Sequence, residues 1–301
     1  MTHVLSSDCF DLALPAGHRF PAAKYRMLRE RVQAAGVTVD LEPPAATREE
    51  LARVHEAGYL DRVLNGTLEP REERRIGLPW SPSMLARSRR STGATVAACR
   101  SAVEDGAGIY LAGGTHHGFA DRGEGFCVFN DVAVAAHALL AERRIRRMCV
   151  VDLDVHQGNG TAALFEGDDR VFTFSVHGAS NFPFRKTRSD VDVALPDRTG
   201  DLAYRQALEA HLDTVLDASD PDLVVYIAGA DVYEGDRLGR LSLTPAGIAC
   251  RDEIVFRALG RREVPWAMVM GGGYAQPIEE TVSVQVETVR IALSAADGTL
   301  L

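Results

Sequence analysis

The chain has 301 residues, 46% of them hydrophobic and 25% charged, the proportions of an ordinary soluble globular protein. Length alone admits two domains, but large α/β folds of this size often form one, and a core this large folds without disulfide or metal staples. The formal net charge of −9 argues against nucleic-acid binding, which expects a basic face, and mildly favours cationic partners.

Short apolar runs alternate with helical patterns along the chain. Strands are expected at His3–Ser6, Gly108–Leu111, Met148–Leu153, Val171–Val176, Leu223–Ala228 and Trp266–Met270. Their Val, Ile and Leu content on both faces is that of a buried parallel sheet. Helices are expected at Ala22–Ala35, Pro82–Val103, Asn130–Arg143, Leu202–Leu216, Pro245–Leu259 and Pro277–Ala292. Asn130 and Thr244 are suited to N-caps, and Pro245 to the first helical position. The Pro- and charge-rich stretch Glu69–Pro82 reads as the longest exposed connection, with no domain boundary placed there. No stretch approaches the roughly 18 apolar residues of a membrane span. Met1 to Phe10 lacks the basic start and apolar run of a signal peptide. The five cysteines form no CxxC pair and several lie in apolar runs, so they read as small core hydrophobes in a reducing, cytoplasmic setting.

Alternating strands and helices imply an α/β layer fold with a mostly parallel sheet, whose site lies beyond the carboxyl ends of the strands. Four such ends carry polar residues: Gly113–His117, Asp152–His156, Gly229–Asp231 and Gly271–Tyr274. Asp152, Asp154 and His156 stand two apart where a buried strand ends, so an extended chain places them on one face. Such a cluster is costly to bury unless something binds it. Asp231 ends another strand on the same sheet edge. Two carboxylates and an imidazole suit one divalent ion, zinc first. Either Asp alone would more often be a helix cap. Gln157 and Asn159, both neutral, count against a two-metal site. His116 and His117, adjacent at a strand end, suit general acid/base work, although a lone histidine is usually structural. Tyr274 could donate to a carbonyl oxygen.

GGTHHG (113–118), DLDVHQGNG (152–160), AGADVYEGD (228–236) and GGGY (271–274) resemble the histone deacetylase family, and the resemblance runs from about Gly17 to Tyr274. HQGNG (156–160), EGDRLGRLSLTPAGI (234–248) and GHRFP (17–21) are similar to its class IV branch and bacterial relatives. The resemblance implies a single catalytic domain over 1–301 with the three-layer arginase/deacetylase fold. It implies removal of acyl groups from lysine in proteins or peptides, by a zinc-dependent hydrolase in which ferrous iron can take the zinc position. Deacylation of small amines such as acetylpolyamines is the alternative; Glu124 and Glu234 lie near the motifs and could serve as acidic gates, but read first as ordinary solvated charges. Asp154, His156 and Asp231 match the family's metal ligands, His116 and His117 its histidine pair, and Tyr274 its carbonyl-polarising tyrosine. Asp152 matches the carboxylate behind the first histidine. Asn159 stands behind the second, where many relatives have Asp. Asp152, Asp154, His156, Ser175 and Val176 match positions binding a structural monovalent cation, usually potassium. Gly125, Phe126 and Phe182 resemble tunnel walls, with Leu238 near the rim. Either histidine could protonate the leaving amine. Class IV resemblance also implies long fatty acyl groups as candidate substrates.

Overall fold

The computed structural model describes every residue except Met1, Phe10, Asp11, Ala13, Ala16 and Leu301. Parts of the Met1–Phe10 segment and the final residue of the 1–301 domain therefore lie outside the described residues. Among those described, seven strands form one parallel sheet. In chain order they are β1 (His3–Leu5), β2 (Ala107–Tyr110), β3 (Met148–Asp152), β4 (Val171–Gly178), β5 (Val191–Leu195), β6 (Leu223–Ala228) and β7 (Trp266–Met270). The order across the sheet is β1-β2-β7-β6-β3-β4-β5, every neighbouring pair parallel.

All five residues of β3, all six of β6 and all five of β7 are buried. Complete burial on both faces is why these strands read as unbroken apolar runs rather than as alternations. Each fully buried Val, Leu or Ile contributes about 1.5–3 kcal/mol. The sheet separates two cores. On one face α1 (Ala23–Ala34), α8 (Asp201–Ser219), α9 (Pro245–Arg261) and α10 (Ile278–Ala296) bury Leu28, Leu208, Val255 and Val289. On the other, α5 (Pro82–Asp105) and α6 (Asp131–Ala141) bury Val96, Cys99, Val132 and Leu139. This is a single α/β domain in three layers. No helix of the described residues is long and apolar enough to cross a membrane.

The expected caps are present: the Asn130 side chain accepts from the Ala133 N–H at 2.9 Å and Thr244 from Gly247 at 3.1 Å. Four short helices escaped the sequence patterns: α2 (Arg48–Ala52), α3 (Ala57–Asn65), α4 (Pro70–Ile76) and α7 (Asn159–Leu164). The reading of Glu69–Pro82 as an exposed connection is corrected by α4. Glu69 and Glu72 form a capping box, Pro70 takes the first turn, and Gly77 ends the helix in the left-handed region. Its Ile76 is wholly buried, as is Leu78 beyond it. Strand β5 was also missed. It is an edge strand, half exposed, and its VDVAL run is too short and too mixed to stand out.

Candidate functional site

Strands β2, β7, β6 and β3 are consecutive in the sheet, so their carboxyl ends form one row. The turn after β2 is held by Asp131, the first residue of α6. Its Oδ1 accepts from the Thr115 N–H at 2.8 Å and hydroxyl at 2.7 Å, and its Oδ2 from the Gly114 N–H at 3.0 Å and the Thr95 hydroxyl at 2.6 Å. This buried carboxylate fixes the backbone that presents His116 and His117. It was legible only as a first-turn acid; its partners lie far away in sequence.

The segment after β3 is not extended. The strand ends at Asp152, and the chain then turns through successive side-chain-to-backbone bonds, Asp154 N–H to Asp152 Oδ1 at 3.1 Å and His156 N–H to Asp154 Oδ1 at 2.9 Å. Asp152 thus faces His116, its Oδ2 2.6 Å from Nδ1. Asp154 and His156 instead converge with Asp231: His156 Nδ1 lies 3.0 Å from Asp154 Oδ1 and 3.0 Å from Asp231 Oδ2. One donor atom from each of the three falls within 4.8 Å of the others. The remaining oxygens are turned to backbone, Asp154 Oδ2 to the Gly272 N–H at 2.6 Å and Asp231 Oδ1 to the Val155 N–H at 3.0 Å. Gly272 is required here, because a Cβ at that position would sit 1.8 Å from Asp231 Oδ2. The buried Arg251 guanidinium donates to the carbonyls of Leu153 (3.3 Å) and Gly229 (2.6 Å), tying together the two loops that carry the carboxylates.

The electrostatics fit a divalent cation. Burial, then the charge of Asp154, pushes the Asp231 carboxyl up to about 7. Burial opposes charge on His156, but the hydrogen bonds and charges of Asp154 and Asp231 outweigh it and raise the ring to about 10. The proton on Nδ1, held between two buried carboxylates, stands where a divalent cation would displace it and supply more positive charge, and donor type and spacing suit one.

The two adjacent histidines sit in opposite environments. Burial works against a charge on His116, but the charge and hydrogen bond of Asp152 overcome it and lift the ring to about 9. His117 is held well below the ordinary range by burial and by the neighbouring His116 and His156. Its Nδ1 lies 2.6 Å from Asn159 Oδ1, an oxygen that can only accept, so Nδ1 carries the hydrogen and Nε2 is left with a lone pair. Tyr274 is anchored through its backbone N–H, 2.5 Å from Asp236 Oδ2. Asp236 Oδ1 also accepts from Leu238 (2.8 Å) and Gly239 (2.9 Å). Asp236 lies within the quoted AGADVYEGD run but was assigned no part. Burial, then Asp231, keeps the Tyr274 phenol protonated far into the alkaline range.

These groups line a cavity of about 650 Å³ together with Gly125, Phe126, Phe182 and Leu238. Phe182 meets His117 edge-on with centroids 5.0 Å apart, and Phe126 lies 6.1 Å from the Tyr274 ring. Phe126 has φ of 67°, unusual for a bulky side chain. The strain is held by Gly125 N–H to Arg75 O (3.2 Å) and Phe126 N–H to Ile76 O (2.6 Å), so α4 props the wall. The cavity lining also includes Ser88, Ser91 and Thr92 of α5. Glu124 lines it; Glu234 does not. Asp152 and Ser175 are register partners on β3 and β4, with Val176 next in line. The Ser175 hydroxyl lies 2.9 Å from His177 Nδ1.

Residues 18–289 match the histone deacetylase domain model. The chain is 42% identical to an uncharacterised protein of Picosynechococcus, over 89% of this chain and 91% of that one. It is 30% identical to histone deacetylase 2 of Arabidopsis thaliana, over 95% and 78%. The crystal structure of an acetylpolyamine aminohydrolase from Burkholderia pseudomallei superposes with a TM-score of 0.80 at 21% identity, covering 99% of each chain, which shows a common fold. An all-parallel sheet with this cluster at its carboxyl edge defines a deacetylase-type amidohydrolase. The chain belongs to the histone deacetylase family, a family of amide hydrolases that is generally metal-dependent.

Proposed function

We propose that this protein is a zinc-dependent hydrolase of acyl-lysine in proteins or peptides. The observation that carries the reading is the convergence of Asp154, His156, Asp231, His116, His117 and Tyr274 from four strand ends on one cavity with aromatic walls. Asp154, His156 and Asp231 are the residues that hold the metal. A divalent cation held there would supply Lewis acidity toward the amide carbonyl and lower the pKa of a water. His117 is the general base: it is neutral, and Asn159 fixes its tautomer so that Nε2 accepts the proton of the attacking water. The same nitrogen delivers that proton to the leaving amine. His116, paired with Asp152, contributes positive charge beside the developing oxyanion, and the Tyr274 hydroxyl donates to it. Neither a serine nor a cysteine nucleophile is needed. Gly125, Phe126 and Phe182 exclude water from the methylene stem of lysine. Asp152, Ser175 and Val176, with Asp154 and His156, would hold a structural monovalent cation such as potassium beside the paired strands β3 and β4. The likeness to the acetylpolyamine aminohydrolase is one of fold and leaves substrate choice to the cavity mouth. The test is turnover of acetyl-lysine peptides and N-acetylpolyamines by zinc-loaded protein. Hydrolysis of the peptides with kcat/KM well above the polyamines is expected; polyamine preference would reject the lysine assignment.

A further inference from the structure

The chain carries nine more acidic than basic side chains, yet the upper wall of the cavity is basic. Arg19, Arg74, Arg75 and Arg240 line it, against one acid, Glu124. Asp154 and Asp231 also line the cavity, but their carboxylates belong to the metal cluster at its floor. Glu124 in turn lies 3.8 Å from the guanidinium of Arg122, which also pairs with Asp121 at 2.7 Å.

The four arginines come from three separate segments, and each segment is fastened to the wall. Arg74 and Arg75 close α4, and the carbonyl of Arg75 accepts from Gly125. Arg19 precedes Phe20, whose ring lies 5.3 Å from that of Phe126. The Arg240 N–H reaches Asn181 Oδ1, beside Phe182, at 3.2 Å. Fastened in this way, the charges keep their place relative to the tunnel. Nearby arginines outside the mouth are paired with carboxylates, Arg62 with Glu72 at 2.8 Å and Arg71 with Glu69 at 2.7 Å. Arg19, Arg74 and Arg75 enter no ion pair among the described residues, and Arg240 has only the half-exposed Asp197 at 3.3 Å. Basic residues in the last turn of α4 complement its dipole. That accounts for Arg74 and Arg75 but not for Arg19 or Arg240, which lie outside that helix. Phe184 stands at the same mouth with 85% of its surface exposed, an apolar contact for an extended chain passing across it.

We infer that this mouth selects acyl-lysine set in an acidic stretch of polypeptide, its carboxylates meeting Arg19, Arg74, Arg75 and Arg240. The inference rests on the acyl-lysine reading above and adds the charge of the flanking sequence. A cationic polyamine would meet like charge at this rim, so the same feature opposes that substrate.

The experiment uses zinc-loaded full-length protein and three peptides with one central acetyl-lysine, flanked by Glu, Ala or Lys, with N-acetylspermidine alongside. At low ionic strength kcat/KM should rank Glu above Ala above Lys, the extremes differing on the order of tenfold or more. The difference should lie mainly in KM and shrink in high salt, as screened surface charge requires. The double variant Arg74→Glu with Arg75→Glu should invert the Glu and Lys ranking. Arg19→Glu, on a different segment, should narrow it independently should the double variant not fold. Equal kcat/KM for all three peptides, or a preference for Lys flanks or N-acetylspermidine, would overturn the inference while leaving deacylation standing. Failure to hydrolyse even the Ala-flanked peptide would overturn the acyl-lysine reading and this one with it.

Discussion

Tyr274→Phe isolates one hydroxyl. The phenol oxygen makes no hydrogen bond with any described residue and lines the cavity, so its loss leaves no buried partner unsatisfied. The ring keeps its contact with Phe126, 6.1 Å between centroids, and with the Lys24 ammonium, 5.2 Å above its face. The backbone N–H stays bonded to Asp236. Folding stability should therefore change by less than about 1 kcal/mol. On the proposed mechanism, what is lost is a donor aimed at charge that develops only in the transition state. A preorganised donor of this kind is worth about 3–4 kcal/mol, so kcat should fall about 100- to 1000-fold. KM should move much less, because the ground-state carbonyl gains little from the bond. The assay is steady-state acetate release from one acetyl-lysine peptide, with thermal unfolding of both proteins measured alongside. A Phe variant with an unchanged Tm and a kcat within about threefold of the parent would refute the polarising role.

Three further outcomes follow from the same geometry. Metal analysis should find about one divalent ion per chain; Asp231→Ala removes one of three ligands and should abolish both tight binding and activity, whereas two tightly held ions per chain would reject the single-metal site. Asn159→Asp places a carboxylate 2.6 Å from His117 Nδ1, which favours the imidazolium and raises its pKa; since the base must be neutral, the acidic limb of kcat/KM should move to higher pH, and an unmoved limb would separate Asn159 from the reacting proton. For acyl length, four extra methylenes buried in the cavity would add about 3 kcal/mol, or roughly two orders in kcat/KM, a gain that polar lining residues such as Ser88, Ser91 and Thr92 would reduce wherever alkyl carbon meets them; comparing acetyl-, octanoyl- and myristoyl-lysine in one peptide decides it, and a clear acetyl preference would reject long-chain deacylation.

The sheet and the residues around the cavity floor were legible because both leave local marks. Six of the seven strands are buried runs or nearly so, and the polar residues at their ends interrupt those runs abruptly. Glycines beside the polar residues mark backbone packed too closely for a side chain, as at Gly272 against Asp231. The residues that hold the site in shape leave no such mark. Asp131 looks like any first-turn acid, yet it fixes the turn bearing His116 and His117. Asp236 and Arg251 do comparable work, each joining segments far apart in sequence. Their partners are mostly backbone atoms, which impose no residue type on the other side. Helix α4 was lost for a different reason. Its seven residues are rich in charge, and burial of Ile76 alone gives no period to detect.

Net charge shows most plainly how a whole-chain quantity can point away from the local one. An excess of nine acids mildly favours cationic partners, although such acidity usually serves only solubility. Charges act across water over only about 8 Å at physiological ionic strength, so a substrate of this cavity would respond to its rim rather than to the sum. Many of the acids are also neutralised locally. Asp213 and Asp217 bind Arg262, Asp222 binds Arg146, and Glu142 binds Arg100 and Arg144. Asp154 and Asp231 belong to the metal-type cluster. With those acids accounted for, the cavity rim carries Arg19, Arg74, Arg75 and Arg240 against Glu124. If the proposed mouth is where substrate enters, the composition-based preference is reversed there, which the flanked-peptide series tests.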